Sequence, residues 1–322
     1  MTSRTPIVLD VDTGIDDAMA LALAVRSPEV DLVAVTTLAG NVDVTTTTTN
    51  TLNVLDWLGR PDVPVFRGAS RPLLRAHRDA AYFHDANGLG GARVPASERT
   101  IALDKGPAAI VRLARERPGE ITLVCVGPLT NLAIALNVEP DLGERLRGVV
   151  IMGGAFGVPG NVTPYAEFNI FADPEAAQQV FLAGLPRLTA IGLDVTHQTE
   201  LSRAVWEATA VSGTKDMAAR LVVKVSRRAF EVPTRGKNYL HDPLALAVAF
   251  DPNLVVCDDA AVVVDTDDER RGETTLVGPG KTRVARAVDA PRFTELFERR
   301  LGLVIPKAAI AHDATPAPGT TG

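Results

Sequence analysis

Short β-branched runs alternating with helix-period segments constrain this chain more than any single motif. Strand candidates stand at residues 7–10, 31–37, 63–66, 121–126, 149–152 and 188–193. Between them lie helical patterns at 17–26, 45–58, 107–115, 129–136 and 174–182, several opened by Asp, Thr or Pro. The threonine run Thr45 to Thr49 reads as a helix start, because the apolar spacing after it is helical. Such alternation means βαβ units with right-handed crossovers. The expected class is therefore α/β, an open, mostly parallel (mixed) sheet with helices on both faces. After Asp194 the pattern turns to helices over about 201–230, strands at 260–265 and 283–289, and a last helix at 291–301. No linker interrupts it, so one domain over residues 1–308 is expected, with a Pro- and Gly-rich tail, 309–322, read as disordered.

What such a fold binds is narrowed by charge and cysteine usage. The net charge of -6 is modest and Lys and Arg are dispersed, which argues against a nucleic-acid surface and for a small uncharged or polar ligand. Cys125 and Cys257 lie in separate apolar runs without CxxC spacing, so buried free thiols in a reducing cytoplasm are expected. The first residues lack the apolar core of a signal peptide, and no run is long enough to cross a bilayer.

In an open parallel sheet, ligands gather beyond the carboxyl ends of the strands. Asp10 and Asp12 end the first strand, Gly40 and Asn41 follow the second, Gly127 and Pro128 the fourth, and "MGGAFG" the fifth. The stretch "VLDVDTGIDDAMAL" adds Asp16 and Asp17 at a helix start. Capping accounts for one such carboxylate, not for four. Crowded carboxylates raise each other's pKa unless a cation relieves them, and an all-oxygen set suits Ca²⁺ or Mg²⁺. Six to eight oxygens around Ca²⁺ require help from elsewhere. His241 and Asp242 in "YLHDPLAL" are the strongest remote candidates, although His-Asp before Pro is also an ordinary helix start. His84 and Asp85 form a similar pair in "YFHDANGLGG". Around "MGGAFG", Asn161, Glu167 and Asn169 offer groups suited to hydroxyls. A phosphate cradle fits less well, since no Lys or Arg stands between Arg147 and Arg187.

The segments "LDVDTGIDDAMAL", "VTTLAGN", "GPLTNLAIAL", "VVIMGGAF", "GNVTPYAEFNIFADPEAA", "GLDVTH" and "HDPLALA" together resemble the inosine-uridine preferring nucleoside hydrolases, in the family's order, over about residues 7–250. The resemblance implies Ca²⁺-dependent hydrolysis of the N-glycosidic bond of a ribonucleoside. Asp12 would be a metal ligand and the base that activates a metal-bound water. Asp17, Asp242 and the main-chain carbonyl of Val126 would be further ligands. Asp16 and Asn169 would hold the ribose 2′- and 3′-hydroxyls with Asn41 nearby, and Asn161 and Glu167 the 5′-hydroxyl. Met152 and Phe168 would line the pocket, with Asp10 supporting the metal loop. His241 would protonate the leaving base, with His84 against the nucleobase. Homodimers or homotetramers are expected by the same likeness.

Two departures from the family's pattern stand out. The region before "HDP", where the family often has Tyr or Gln against the base, carries Arg227, Arg228, Phe230 and Tyr239 as candidate base contacts, with none of the four singled out. Asp85 stands where Gly is common. Two other function classes compete. "VLDVDT" is similar to the start of haloacid-dehalogenase-like phosphatases, but that family does not explain the Asp16-Asp17 pair or "AEFNI". A non-catalytic nucleoside- or sugar-binding protein would not need Asp12, Asp17, His241 and Asp242 together.

Overall fold

The computed structural model describes residues 4–232 and 237–306. In chain order its strands are β1 (Thr5–Val11), β2 (Val30–Thr37), β3 (Val65–Arg67), β4 (Thr122–Cys125), β5 (Gly148–Met152), β6 (Leu188–Ile191), β7 (Val255–Ala260), β8 (Val262–Val264), β9 (Thr274–Leu276) and β10 (Thr282–Val288). Eight of them form one sheet in the order β3-β2-β1-β4-β5-β6-β10-β7, while β8 and β9 pair separately. All neighbours in the large sheet are parallel except β10 and β7. The expected α/β class holds. The chain winds outward in both directions from β1 and β4, so a crevice opens beyond their carboxyl ends.

Helices cover both faces, which is why strand sequences here are apolar throughout rather than alternating. In β1, Ile7, Leu9 and Val11 enter one core layer and Val8 the other. The first layer holds helices Ile15–Arg26, Val44–Trp57, Met217–Glu231, His241–Phe250 and Ala290–Arg300. The second holds Gly106–Glu116, Thr130–Val138 and Pro174–Leu182. Helix Ile15–Arg26 is buried on nearly every side, because it packs against the sheet and against helices Met217–Glu231 and His241–Phe250.

Several boundaries differ from expectation for local reasons. Helix Val44–Trp57 does begin at the threonine run, but its cap is Asp43, whose carboxylate accepts the N–H groups of Thr45 and Thr46. The stretch 201–230 is two helices, Arg203–Val211 and Met217–Glu231, separated where Gly213 takes a φ of +66°. The strand expected at 260–265 is β8 alone, and the sheet's edge strand β7 lies before it, reading "VVCDDA" with its outer positions exposed. Residues 192 and 193 leave β6 and start the short helix Leu193–Thr196. Both cysteines are free, Cys125 buried but Cys257 only half-buried. No described helix is long and apolar enough to cross a membrane. The tail 309–322 lies outside the described residues.

Candidate active site

Helices Ile15–Arg26 and His241–Phe250 pack against each other and both begin at the carboxyl edge of the sheet. Their first turns carry Asp16, Asp17 and Asp242, so a residue more than two hundred positions away joins the opening cluster. One carboxylate oxygen from each of these three lies within 4.8 Å of the others. Asp12, Asp17 and Asp242 are almost inaccessible to solvent.

Asp17 is gripped by the loop it follows. Its Oδ1 accepts the Asp12 N–H at 3.0 Å, and its Oδ2 accepts Gly14 N–H at 2.7 Å and Asn41 Nδ2 at 3.1 Å. Asp12 differs in a way that matters for chemistry. Its Oδ2 accepts the Asn41 N–H at 2.7 Å, whereas its Oδ1 is buried with no hydrogen-bond partner, as is Oδ1 of Asp16. Glycine is required around it by close approach: a Cβ at Gly40 would lie 2.0 Å, and one at Gly127 2.8 Å, from the Asp12 carboxylate. Asp10, beneath, accepts Thr36 Oγ1 at 2.5 Å and Asn131 Nδ2 at 2.7 Å, tying β1 to β2 and to helix Thr130–Val138.

Electrostatics limit how much charge such a cluster can carry. Burial, then repulsion by Asp17, pushes the Asp12 carboxyl well above the usual carboxylate range. Asp242 is pushed up likewise by burial and by Asp16, Asp17 and Asp12. Asp17 is raised by burial, and Asp16 rises to about 7 through burial and Asp17. Carboxylates so placed cannot all ionise without a counter-cation. Unpartnered buried oxygens and an all-oxygen donor set fit a hard divalent ion. The Val126 carbonyl, just past β4, accepts Asn169 Nδ2 at 2.9 Å and keeps a second lone pair.

Above the cluster lies a cavity of about 450 Å³. Asp16, Asn41, Val126, Met152 and Asp242 line it, and so do Asn161, Glu167, Phe168 and Asn169. Asp12 and Asp17 stay buried just behind it. Glu167 caps helix Phe168–Ala172, accepting Asn169 N–H at 2.8 Å and Ile170 N–H at 3.1 Å, and burial raises it to about 7. Asn161 Oδ1 accepts the Phe168 N–H at 2.9 Å, fixing that loop over the pocket.

The remaining wall is aromatic. His241 faces Thr196, Nδ1 to Oγ1 2.7 Å, and sits 5.7 Å from the His197 ring and 5.6 Å from Tyr239. Burial and the two neighbouring histidines, His197 and His84, lower its pKa to about 3. His84 Nδ1 accepts the Ile15 N–H at 3.0 Å, which fixes the ring against the first turn of helix Ile15–Arg26.

The residues that the resemblance names for the metal and the sugar, with His84 and His241, therefore meet at one edge. Of the four candidate base contacts, Tyr239 lines the cavity, but Arg227 pairs with Glu231, Arg228 with Asp85, and Phe230 stacks on Trp206. Tyr82, Phe83, His197, Lys237 and Asn238 line it unannounced. A signal existed for His197: "DVTH" follows a strand on the ligand edge, as "MGG" and "LAGN" do.

Comparison with known proteins agrees with this geometry. The model of the inosine-uridine preferring nucleoside hydrolases matches residues 7–295. A probable uridine nucleosidase 2 of Arabidopsis thaliana is 37% identical over 320 residues, covering 92% of this chain and 98% of that protein. The non-specific ribonucleoside hydrolase RihC of Salmonella agona is 38% identical over 303 residues, covering 92% and 97%. Among solved structures, a plant nucleoside hydrolase matches with a TM-score of 0.87 at 35% identity, covering 92% of this chain and 98% of that one. A purine-preferring ribonucleoside hydrolase from Gardnerella vaginalis gives 0.86 at 34%, with the same coverage. Fold, pocket and sequence likeness thus converge, and the chain belongs to the inosine-uridine preferring nucleoside hydrolase family.

Proposed function

We propose that the protein hydrolyses the N-glycosidic bond of ribonucleosides to ribose and free base, with Ca²⁺ held by Asp12, Asp17, Asp242 and the Val126 carbonyl. The observation that carries this reading is the buried carboxylate cluster with unpartnered oxygens at one end of a pocket whose other end is a histidine wall. When bound, the ion supplies a lowered water pKa and a clamp for two ribose hydroxyls. Asp12 Oδ1 takes the proton of the attacking water, while Oδ2 stays anchored to Asn41. Asp16 and Asn169 hold the 2′- and 3′-hydroxyls, with Asn41 supporting the carboxylates beneath. Asn161 and Glu167 hold the 5′-hydroxyl, and Met152 and Phe168 shape the sugar pocket. Positive charge developing on the ribose is stabilised by the carboxylates below it.

His241 serves the leaving base. With Nδ1 engaged by Thr196, Nε2 is the nitrogen left for the pocket. Burial keeps the free imidazole neutral; as negative charge grows on the base, Nε2 takes up a proton from solvent and passes it to the base, and the proton gained by Asp12 returns to solvent after ribose leaves. His84 stands against the nucleobase. A single catalytic domain over residues 1–308, assembly as a homodimer or homotetramer and a cytoplasmic location complete the reading. Incubation with inosine, uridine, other nucleosides and nucleotides tests it: ribose and free base are expected from nucleosides. Phosphate release from nucleotides, with nucleosides left intact, would contradict it.

A further inference from the structure

Among the described residues, Asp85 is the one non-glycine residue with positive φ, at φ +66° and ψ +165°. That region of backbone space belongs almost entirely to glycine, and a side chain persists there only when its surroundings hold it. Within the turn Asp85 Oδ1 accepts the Ala86 N–H at 2.7 Å and its carbonyl the Gly88 N–H at 2.9 Å, and across the seam its carboxylate pairs with the guanidinium of Arg228 on helix Met217–Glu231. Both side chains are about one third exposed, 33% for Asp85 and 36% for Arg228. The residue just before Asp85 is His84, which is buried and lines the cavity. The left-handed turn thus lets His84 face the pocket while Asp85 reaches the helix.

The rest of the loop is built around the same seam. The Gly90 N–H donates to His84 O at 2.7 Å, and a Cβ on Gly90 would lie 2.8 Å from Val225 O, one helical turn before Arg228. Asn87 Oδ1 accepts Leu89 N–H at 3.0 Å and Gly91 N–H at 2.9 Å, and Asn50 Nδ2 donates to Asn87 O at 2.9 Å. One flank of the loop is therefore tied to helix Val44–Trp57. Among the described residues, the Asp85–Arg228 pair is the one ion pair that ties the other flank to helix Met217–Glu231.

We propose that Asp85 and Arg228 are positioning residues that set how His84 meets the nucleobase, an inference that rests on the nucleoside-binding reading above. Glycine would suit this backbone better, so the carboxylate is kept for its bonds, to the Ala86 N–H within the turn and to Arg228 across the seam. Asp85→Asn keeps the side-chain shape on the same backbone and removes the charge, and Arg228→Met removes the partner. Each single change is expected to raise KM for inosine and uridine by about three- to tenfold with kcat held within about twofold, the mark of lost ground-state binding. The double variant is expected to be no worse than either single one. Wild-type KM for these neutral substrates should rise with ionic strength at saturating Ca²⁺, and the Asp85→Asn value should not. Hydrogen exchange over residues 80–92, measured without substrate, should quicken in both single variants. Asp85→Gly should leave the melting temperature unchanged or higher while still raising KM, because it relieves the backbone.

Unchanged KM in the single variants, or full additivity in the double, overturns the proposal. Should the wild type release no ribose from any nucleoside, the functional reading fails instead. The exchange data still decide whether the pair holds the loop.

Discussion

Asp12 combines an anchored oxygen, bonded by the Asn41 N–H, with an unpartnered one, which is what a proton acceptor held in fixed orientation requires. Replacing it with Asn keeps the shape and removes the base. Ribose release is expected to fall by roughly 10²–10⁴-fold, measured as steady-state reducing sugar. His241→Ala should lower turnover of inosine by about 10²-fold or more, yet leave a nitrophenyl riboside, whose leaving group needs no proton, far less affected. Equal loss on both substrates would remove His241 from the donor role. At this scale the sequence was legible where chemistry demands unusual composition: four aspartates in eight positions, or His-Asp before Pro. It was not legible for the base wall. Arg227, Arg228 and Tyr239 look alike as candidates in one dimension, and only the winding of helix Met217–Glu231 sends the arginines to Glu231 and Asp85 while Tyr239 enters the cavity.

Two helix starts, not one motif, make the carboxylate cluster. "IDDAMALALAVR" and "HDPLALAVAF" are each apolar nearly all round, a pattern that marks buried helices but cannot say that they are neighbours. Their adjacency is tertiary, and it is what brings Asp242 to Asp16 and Asp17. Edge features were harder to read for the opposite reason. Strand β7 exposes Val256 and carries Asp258 and Asp259, so its periodicity is diluted by solvent-facing polar residues. Helix Val44–Trp57 offers a test of local logic, since Asp43 caps it and Asn50, two turns in, bonds Thr13 O at 3.1 Å and Asn87 O at 2.9 Å. Asp43→Ala should lower unfolding free energy by about 1 kcal/mol, read from urea denaturation, with kcat little changed.

For the molecule as a whole, the buried acids link folding to pH and, on the proposed function, to a bound cation. Burial raises Asp10 and Asp16 from 3.8 to about 7, and Glu167 from 4.5 to about 7. A carboxyl whose folded pKa exceeds its unfolded one stabilises the fold below the unfolded pKa, and that stability is lost as pH rises through the folded value. The chelated protein should therefore melt at falling temperature between about pH 4 and pH 7. Added Ca²⁺, binding the ionised cluster, should raise the melting temperature, and more so at the upper end of that window. Calorimetry across pH with and without Ca²⁺ checks both signs. A gain that shrank with rising pH would contradict the assignment of these carboxylates to the ion. If Asp12, Asp17 and Asp242 hold the ion as proposed, the cluster works only around a divalent cation. Ribose release from uridine, followed as chelator strips the protein and Ca²⁺ is then restored, tests it most directly. Turnover should be lost on chelation and return on re-addition; turnover that persists in metal-free protein would remove the ion from the reaction.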